Sequence, residues 1–179
     1  ADDMLEFDKW ALARLIELTN QTTRHYDEFH FHSAFRGWYD YVVSISSVYF
    51  DAVKDRLYSD AADSVGRRSA QTVLANMLEA MVRQLAPILT FTTDEVYEKY
   101  PEGLKGPDHE PSIQLASWMH EDDFVPQVPA AERGQILATY ETVTVARDAV
   151  TKAIEEARNA ELLTKSQEAA ATIVCNADT

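Results

Sequence analysis

The stretch DSVGRRSAQTVLANMLEAMVRQLAP, residues 63–87, decides the fold. Asp63 or Ser64 can cap a helix, because a short polar side chain there accepts from backbone N–H groups that a helix start leaves without partners. Val73, Leu74, Met77, Leu78, Met81 and Leu85 then recur every three or four positions and form one apolar stripe. Pro87 ends the pattern, since its ring removes a donor and clashes with the turn before it. A long helix with one buried face requires neighbours that present faces of the same kind.

The flanking sequence supplies them. Five of the six prolines lie after residue 100 and glycine occurs only five times, so residues 2–100 hold almost no helix breakers. From Asp2 to Glu28, Leu5, Leu12, Leu15, Ile16, Thr19 and Tyr26 keep helical spacing and predict a first long helix. The next segment is aromatic, with Phe31, Phe35, Trp38, Tyr39, Tyr41, Tyr49, Phe50 and Tyr58, and core packing is the expectation for most of these rings. Within it YVVSISSVYF alternates like a strand, yet helical patterns on both sides predict a helix broken or kinked near Ser44 to Ser47. Thr92 and Glu95 have capping-box spacing and predict the start of a short helix that stops before Pro101.

Beyond Pro101 the pattern loosens. Residues 101–111 read as a loop, SIQLASWM as a short extended piece ending at Trp118, and HEDDFVPQVP as an acidic connector. From Ala130 to about Glu161, Ile136, Tyr140, Val143, Val150, Ile154 and Ala157 predict a final helix of about 45 Å at 1.5 Å per residue. The tail EAAATIVCNADT reads as a strand, which needs a neighbour to satisfy its backbone and makes the chain look cut from something larger. The expected class is all-α, an antiparallel helical bundle with a small strand-forming tail. Residues 1–128 form the bundle, and residues 129–179 hold the long helix and the start of a truncated junction module.

Composition narrows the function. With 46% hydrophobic residues in 179, one core is affordable, and no apolar run is long enough to span a bilayer. The start, ADDMLEFDKW, lacks the basic-then-apolar layout of a signal peptide, so a cytoplasmic setting is expected. Cys175 is the only cysteine, which excludes an internal disulfide and a thiolate zinc cluster. His30 and His32 are two apart, on different helix faces, and His25, His109 and His120 show no partner three or four residues on, so no metal site or cofactor is expected in this chain. A net charge of −14 argues against a broad basic face for nucleic acid, though not against a local one.

Catalytic patterns are missing from the sequence: there is no nucleophile elbow, no phosphate-cradling glycine loop and no HExxH. Glu121, Asp122 and Asp123 fall in a connector, where clustered like charges mark a solvated segment. The Lys-Ser pair of LLTKSQ has no base or oxyanion donor nearby and reads as a helix end. No catalytic residue is assigned.

One segment stands out against the acidic background. KDRLYSDAADSVGRRSAQ, residues 54–71, gathers Lys54, Arg56, Arg67 and Arg68, a quarter of the sixteen basic residues. Arg67 and Arg68 lie in the first turn of a helix, against its dipole, at a cost of about a few tenths of a kcal/mol each. They either pair with Asp55, Asp60 or Asp63 across the turn, or join Lys54, Arg56 and the free N–H groups around an external anion such as a phosphate. Tyr58 and the aromatics before it would then offer stacking surface for the bases of an exposed RNA loop.

These same residues carry a resemblance. VYFDAVKDRLYSDAADSVGRRSAQTVL followed by LAPILTFTTDEVY is similar to the helical anticodon-binding domain of bacterial-type class I isoleucyl-tRNA synthetases. The likeness continues upstream through FDKWALARL and YDEFHFHSAFRGWYDYVV, and downstream through SWMHED and VARDAVTKAIEEARNAELLTKSQEAAATIV, covering nearly the whole chain. LAPILTFTTDEVY is shared with valyl and leucyl enzymes, whereas FDAVKDRLY with EEARNAELLTKSQEAAATI points to the isoleucyl branch.

The resemblance implies a bundle appended after a catalytic domain in the same chain, gripping the anticodon stem and loop of isoleucine tRNA. With the reading of the basic stretch, Lys54, Arg56, Arg67 and Arg68 are expected to touch phosphate or bases and Tyr58 to stack, with Arg36 and Trp38 as secondary contacts. The parent enzyme would use ATP with magnesium and carry zinc in a C-terminal module. This chain shows no HIGH-type or KMSKS-type signature, no editing domain and no cysteine-rich module, so alone it should not aminoacylate. DNA and membranes are not expected partners. The rival readings are the equivalent valyl domain and a helical protein-interaction module that binds no RNA.

Overall fold

The computed structural model describes residues 4–106, 109–124 and 128–174. Six α-helices carry the architecture: α1 Glu6–Asp27, α2 Phe31–Ile45, α3 Asp51–Ser59, α4 Val65–Leu85, α5 Thr90–Glu98 and α6 Ala130–Asn159. No strand occurs among the described residues. The expected all-α class holds. The chain forms two compact units, residues 1–133 and 134–179.

In the first unit α1 packs against both α2 and α4. The helix break expected near Ser44 to Ser47 is a π-helical segment, Ser46–Phe50, that leads from α2 into α3. Ser46 Oγ donates to the Val42 carbonyl at 2.6 Å and Ser47 Oγ to the Ser44 carbonyl at 3.0 Å, which offers the backbone alternative partners where its own ladder loosens. One extra residue in that turn brings Tyr49 and Val53 onto the buried side after Ala34, Trp38, Tyr41 and Ile45.

Two polar hubs fix the register of the helices. Gln84 of α4 is fully buried, and its side-chain N–H groups reach the Thr19 carbonyl at 3.1 Å, while its Oε1 accepts from the Trp38 indole at 3.3 Å. Tyr26 donates to the Gln84 carbonyl at 2.8 Å. Toward the other end of the same helices, Asp8 of α1 meets Ser69 of α4. Since Asp8 pairs with Ser69 and Thr19 with Gln84, α1 and α4 run parallel, and α2 returns antiparallel between them in chain order. Buried polar groups satisfied in this way specify one alignment of otherwise similar apolar faces.

The C-terminal end of α4 holds a second core of Val82, Ala86, Tyr97, Tyr100 and Ile113, with Leu78, Leu104 and Ala116 against it. Asp94 clamps the following loop, accepting from Ser112 Oγ at 2.7 Å and Ile113 N at 3.0 Å. Arg83 then holds the Ser117 carbonyl at 2.9 Å and Trp118 donates to Thr23 Oγ1 at 3.0 Å, so the segment after α5 is tied back to α1 and α4.

The second unit contains the remainder of α6, which ends at Asn159 and closes with Glu161 at φ 57°. Leu162 N donates to the Ala157 carbonyl at 2.9 Å and Glu161 N to the Arg158 carbonyl at 3.0 Å, the paired bonds of a Schellman stop. Ile136, Tyr140, Val150, Ile154 and Ala157 are half-buried, as their spacing predicts, but Val143 is exposed.

Several local expectations are corrected. The short helix begins at Thr90, not at Thr92, and no side chain caps it; Thr90 and Thr93 instead donate back to the Ala86 and Leu89 carbonyls. SIQLASWM is not extended: Ser112 caps a 3-10 turn over Ile113–Leu115, whose Ile113 plugs the second core. The tail forms no strand through Val174, and residues 175–179, including Cys175, lie outside the described residues. Among the eight aromatics expected mostly in the core, only Trp38, Tyr41 and Tyr49 are buried. Phe31, Phe35 and Tyr39 recur four apart on the opposite face of α2 and stay exposed.

Candidate functional site

The basic stretch folds into the corner between α3 and α4. Ser64 is the N-cap of α4, accepting from Arg67 N at 3.2 Å, and Ser64 N in turn reaches the Ala61 carbonyl at 3.0 Å. Capping by Ser64 rather than Asp63 leaves the Asp63 side chain exposed.

The four cations have different fates. Arg56 turns inward: its Nη2 donates to Asp8 Oδ1 at 2.9 Å and its Nη1 to Asp8 Oδ2 at 3.0 Å. Asp8 is fully buried and also accepts from Tyr49 OH at 2.7 Å and from Ser69 Oγ. Burial opposes the charge on Arg56, but the hydrogen bonds and charge of Asp8 outweigh it and hold the guanidinium above its ordinary value. Burial first, then the bond to Asp8, pushes the Tyr49 phenol far up. Gly66 makes the approach possible, since a Cβ there would meet Arg56 Cδ at 3.2 Å and Asp60 Oδ2 at 3.2 Å. Arg56 therefore ties α3 to α1 beneath the corner.

Arg67 is half-buried and spends one nitrogen on the Asp60 carbonyl at 2.9 Å, retaining further N–H groups. Lys54 and Arg68 are exposed, and among the described residues neither side chain forms an ion pair or hydrogen bond. No carboxylate of Asp55, Asp60 or Asp63 pairs with them; Asp60 Oδ2 instead accepts from Ser64 Oγ at 3.3 Å. The internal neutralisation that the sequence left open does not occur at Lys54 or Arg68.

Beside Lys54 lies an open groove of about 310 Å³ lined by Phe50, Val53, Leu57, Leu74 and Tyr58, with Lys54 and Asp51 as its charged residues. Tyr58 is 82% exposed, an unusual setting for so large a ring in a monomeric surface. The apolar floor and the exposed aromatic suit a flat ring, with the unpaired Lys54 and the carboxylate of Asp51 at the same groove.

The two secondary candidates separate. Trp38 is 1% exposed and holds Gln84, so it cannot stack on an external base. Its spacing with Ala34, Tyr41 and Ile45 is the inward stripe of α2, a signal present in the sequence. Arg36 is exposed but engaged, with Nε 2.9 Å from Asp40 Oδ2 and its guanidinium 5.6 Å from the Tyr39 ring centre.

Away from this corner the structure brings together a group that spacing among histidines did not reveal. His25, Glu28 and His30 place one ligand atom each within 4.8 Å of the others at the turn from α1 to α2.

The family model of the anticodon-binding domain of tRNA ligase matches residues 8–174, and the chain belongs to that family. The chain is 39% identical over 180 residues to the isoleucine–tRNA ligase of Moorella thermoacetica, covering 99% of this chain and 18% of that protein. It is 39% identical over 173 residues to that of Symbiobacterium thermophilum, with 96% and 18% covered, and 34% identical over 180 residues to that of Thermotoga maritima, with 99% and 18% covered. The chain thus spans about a fifth of the length of these curated relatives. Among the described residues no helix is long and apolar enough to cross a membrane.

Proposed function

We propose that this chain recognises the anticodon stem and loop of isoleucine tRNA as one domain of an isoleucine–tRNA ligase. The observation that carries the reading is the α3–α4 corner, where Lys54 and Arg68 stay unpaired in a chain of net charge −14 and Lys54 and Tyr58 line a largely apolar groove. Lys54, Arg68 and the remaining donors of Arg67 hold backbone phosphates, and Tyr58 with Phe50 receives an unstacked base. Arg56 supports the corner from behind through Asp8.

The domain contributes binding energy remote from the chemistry. It orients the tRNA so that its acceptor end reaches a catalytic domain elsewhere in the enzyme, where ATP and isoleucine are used. Because most of the surface is negative, contacts are concentrated and the affinity of this domain by itself is modest.

Titration of isoleucine and valine tRNA transcripts against the chain at two salt concentrations tests the reading. Saturable binding that weakens with salt and favours the isoleucine transcript is expected. Tighter binding of the valine transcript would move the chain to the valyl branch. No salt-dependent binding would favour the exposed aromatic face of α2 as a protein-interaction surface instead.

A further inference from the structure

The end of α1 is built as a Schellman stop with unusual side chains. Phe29 takes φ 59°, Phe29 N donates to the Tyr26 carbonyl at 3.0 Å, and His30 N donates to the His25 carbonyl at 2.7 Å. This motif brings the side chains at the two ends of its longer hydrogen bond together, ordinarily as an apolar contact. At the end of α6 the pair is Ala157 and Leu162, as expected. At the end of α1 the pair is His25 and His30, with ring centres 6.3 Å apart, and Glu28 sits at the cap position between them.

We infer that His25, Glu28 and His30 form a binding site for a divalent transition metal of the zinc class. Two imidazoles and a carboxylate match the donor preferences of zinc and leave a position for solvent. The three ligand atoms lie within 4.8 Å of one another, and His30 Nδ1 is 3.2 Å from Glu28 Oε2. A tetrahedral zinc with bonds of about 2.0–2.2 Å spaces its ligands roughly 3.3 Å apart, so one pair already has the required distance and exposed rotamers close the rest.

Two further observations point the same way. His25 Nδ1 is buried and has no hydrogen-bond partner, which is rare for a buried polar atom and leaves the ring uncommitted. The site also lies at the C-terminal end of a 22-residue helix, where the aligned carbonyls favour a cation. A non-glycine residue held at positive φ is a local strain that the geometry of this corner retains. Bound metal would tie the last turn of α1 to the first residues before α2 and stiffen the corner.

The test uses the chelator-stripped chain without RNA, so its outcome is independent of the tRNA reading. Calorimetric titration with zinc is expected to show one saturable equivalent, cobalt to give the visible absorption of a low-coordinate site, and zinc to raise the thermal midpoint. His30→Ala and Glu28→Gln should each weaken binding at least about tenfold, a minimum set by the loss known for mere supporting residues. Both side chains are exposed, so these variants keep the fold, checked by circular dichroism. His109→Ala, His120→Ala and Cys175→Ser should bind as the parent does. Absence of saturable binding, half an equivalent shared between two molecules, or unchanged affinity in His30→Ala would overturn the site.

Discussion

Arg56 and Asp8, 48 positions apart, share a two-pronged ion pair at 2.9 and 3.0 Å that joins α3 to α1 beneath the cationic corner. Asp8 has no exposed surface and collects two more hydroxyl donors, Tyr49 and Ser69, from the π-helical segment and α4. Four elements therefore meet on one carboxylate. Removing one partner of such a pair strands the other charge, whereas an exposed cation can be removed at little cost.

Arg56→Ala should thus destabilise the first unit by about 3–5 kcal/mol, while Lys54→Ala and Arg68→Ala change stability by within about 0.5 kcal/mol. Urea unfolding of the three variants separates them. Equal, small losses in all three would mean that Arg56 faces solvent.

Tyr58→Ala should lower tRNA affinity by about 1–3 kcal/mol, the cost of losing a stacked base, without altering the salt dependence. Affinity measured over a salt series checks both parts. A changed slope would assign Tyr58 to phosphate positioning instead.

Trp38→Phe removes the indole donor from Gln84 and leaves its buried Oε1 without that bond. The expected loss is about 1–3 kcal/mol of stability, with tRNA affinity unchanged once the variant is folded. A selective loss of affinity would return Trp38 to the binding surface.

Alkaline unfolding should follow the buried phenols. Burial pushes Tyr26 up from 10 to about 12 and raises Tyr41, Tyr49 and Tyr100 further. Their folded pKa values lie above the unfolded ones, so the protonated forms stabilise the fold below pH 10 and that contribution is lost as pH rises through the folded values. Ionisation of Tyr26, Tyr41, Tyr49 and Tyr100, read by tyrosinate absorbance, should therefore coincide with loss of helicity. A single early step with the helices intact would contradict this.

How legible was this in the sequence? Elements set by local chemistry were: the Ser64 cap, the irregular turn after Ser44, and the thirty-residue α6 all follow from spacing and side-chain type. SIQLASWM was not, because Ile113 folds over to fill a core made by α4 and α5, a tertiary demand that its neighbours in sequence do not announce. In the cationic stretch, nearby Asp55, Asp60 and Asp63 were natural partners to consider, while the actual one for Arg56 lies in the first helix. A signal existed all the same, since Tyr49, Val53 and Arg56 share helical spacing and put Arg56 on the buried side. The histidine cluster is hidden from helical spacing, because the helix ends at Asp27 and Phe29 at positive φ folds His30 back over His25.

The most direct test of the central claim is the salt dependence of isoleucine tRNA binding in Lys54→Ala and Arg68→Ala, with Arg36→Ala as control. Each corner variant should weaken binding and reduce the slope of log affinity against log salt by about one phosphate contact, roughly 0.7–0.9, while Arg36→Ala, already engaged by Asp40, leaves it as in the parent. Slopes unchanged in both corner variants would contradict the assignment of this surface to tRNA.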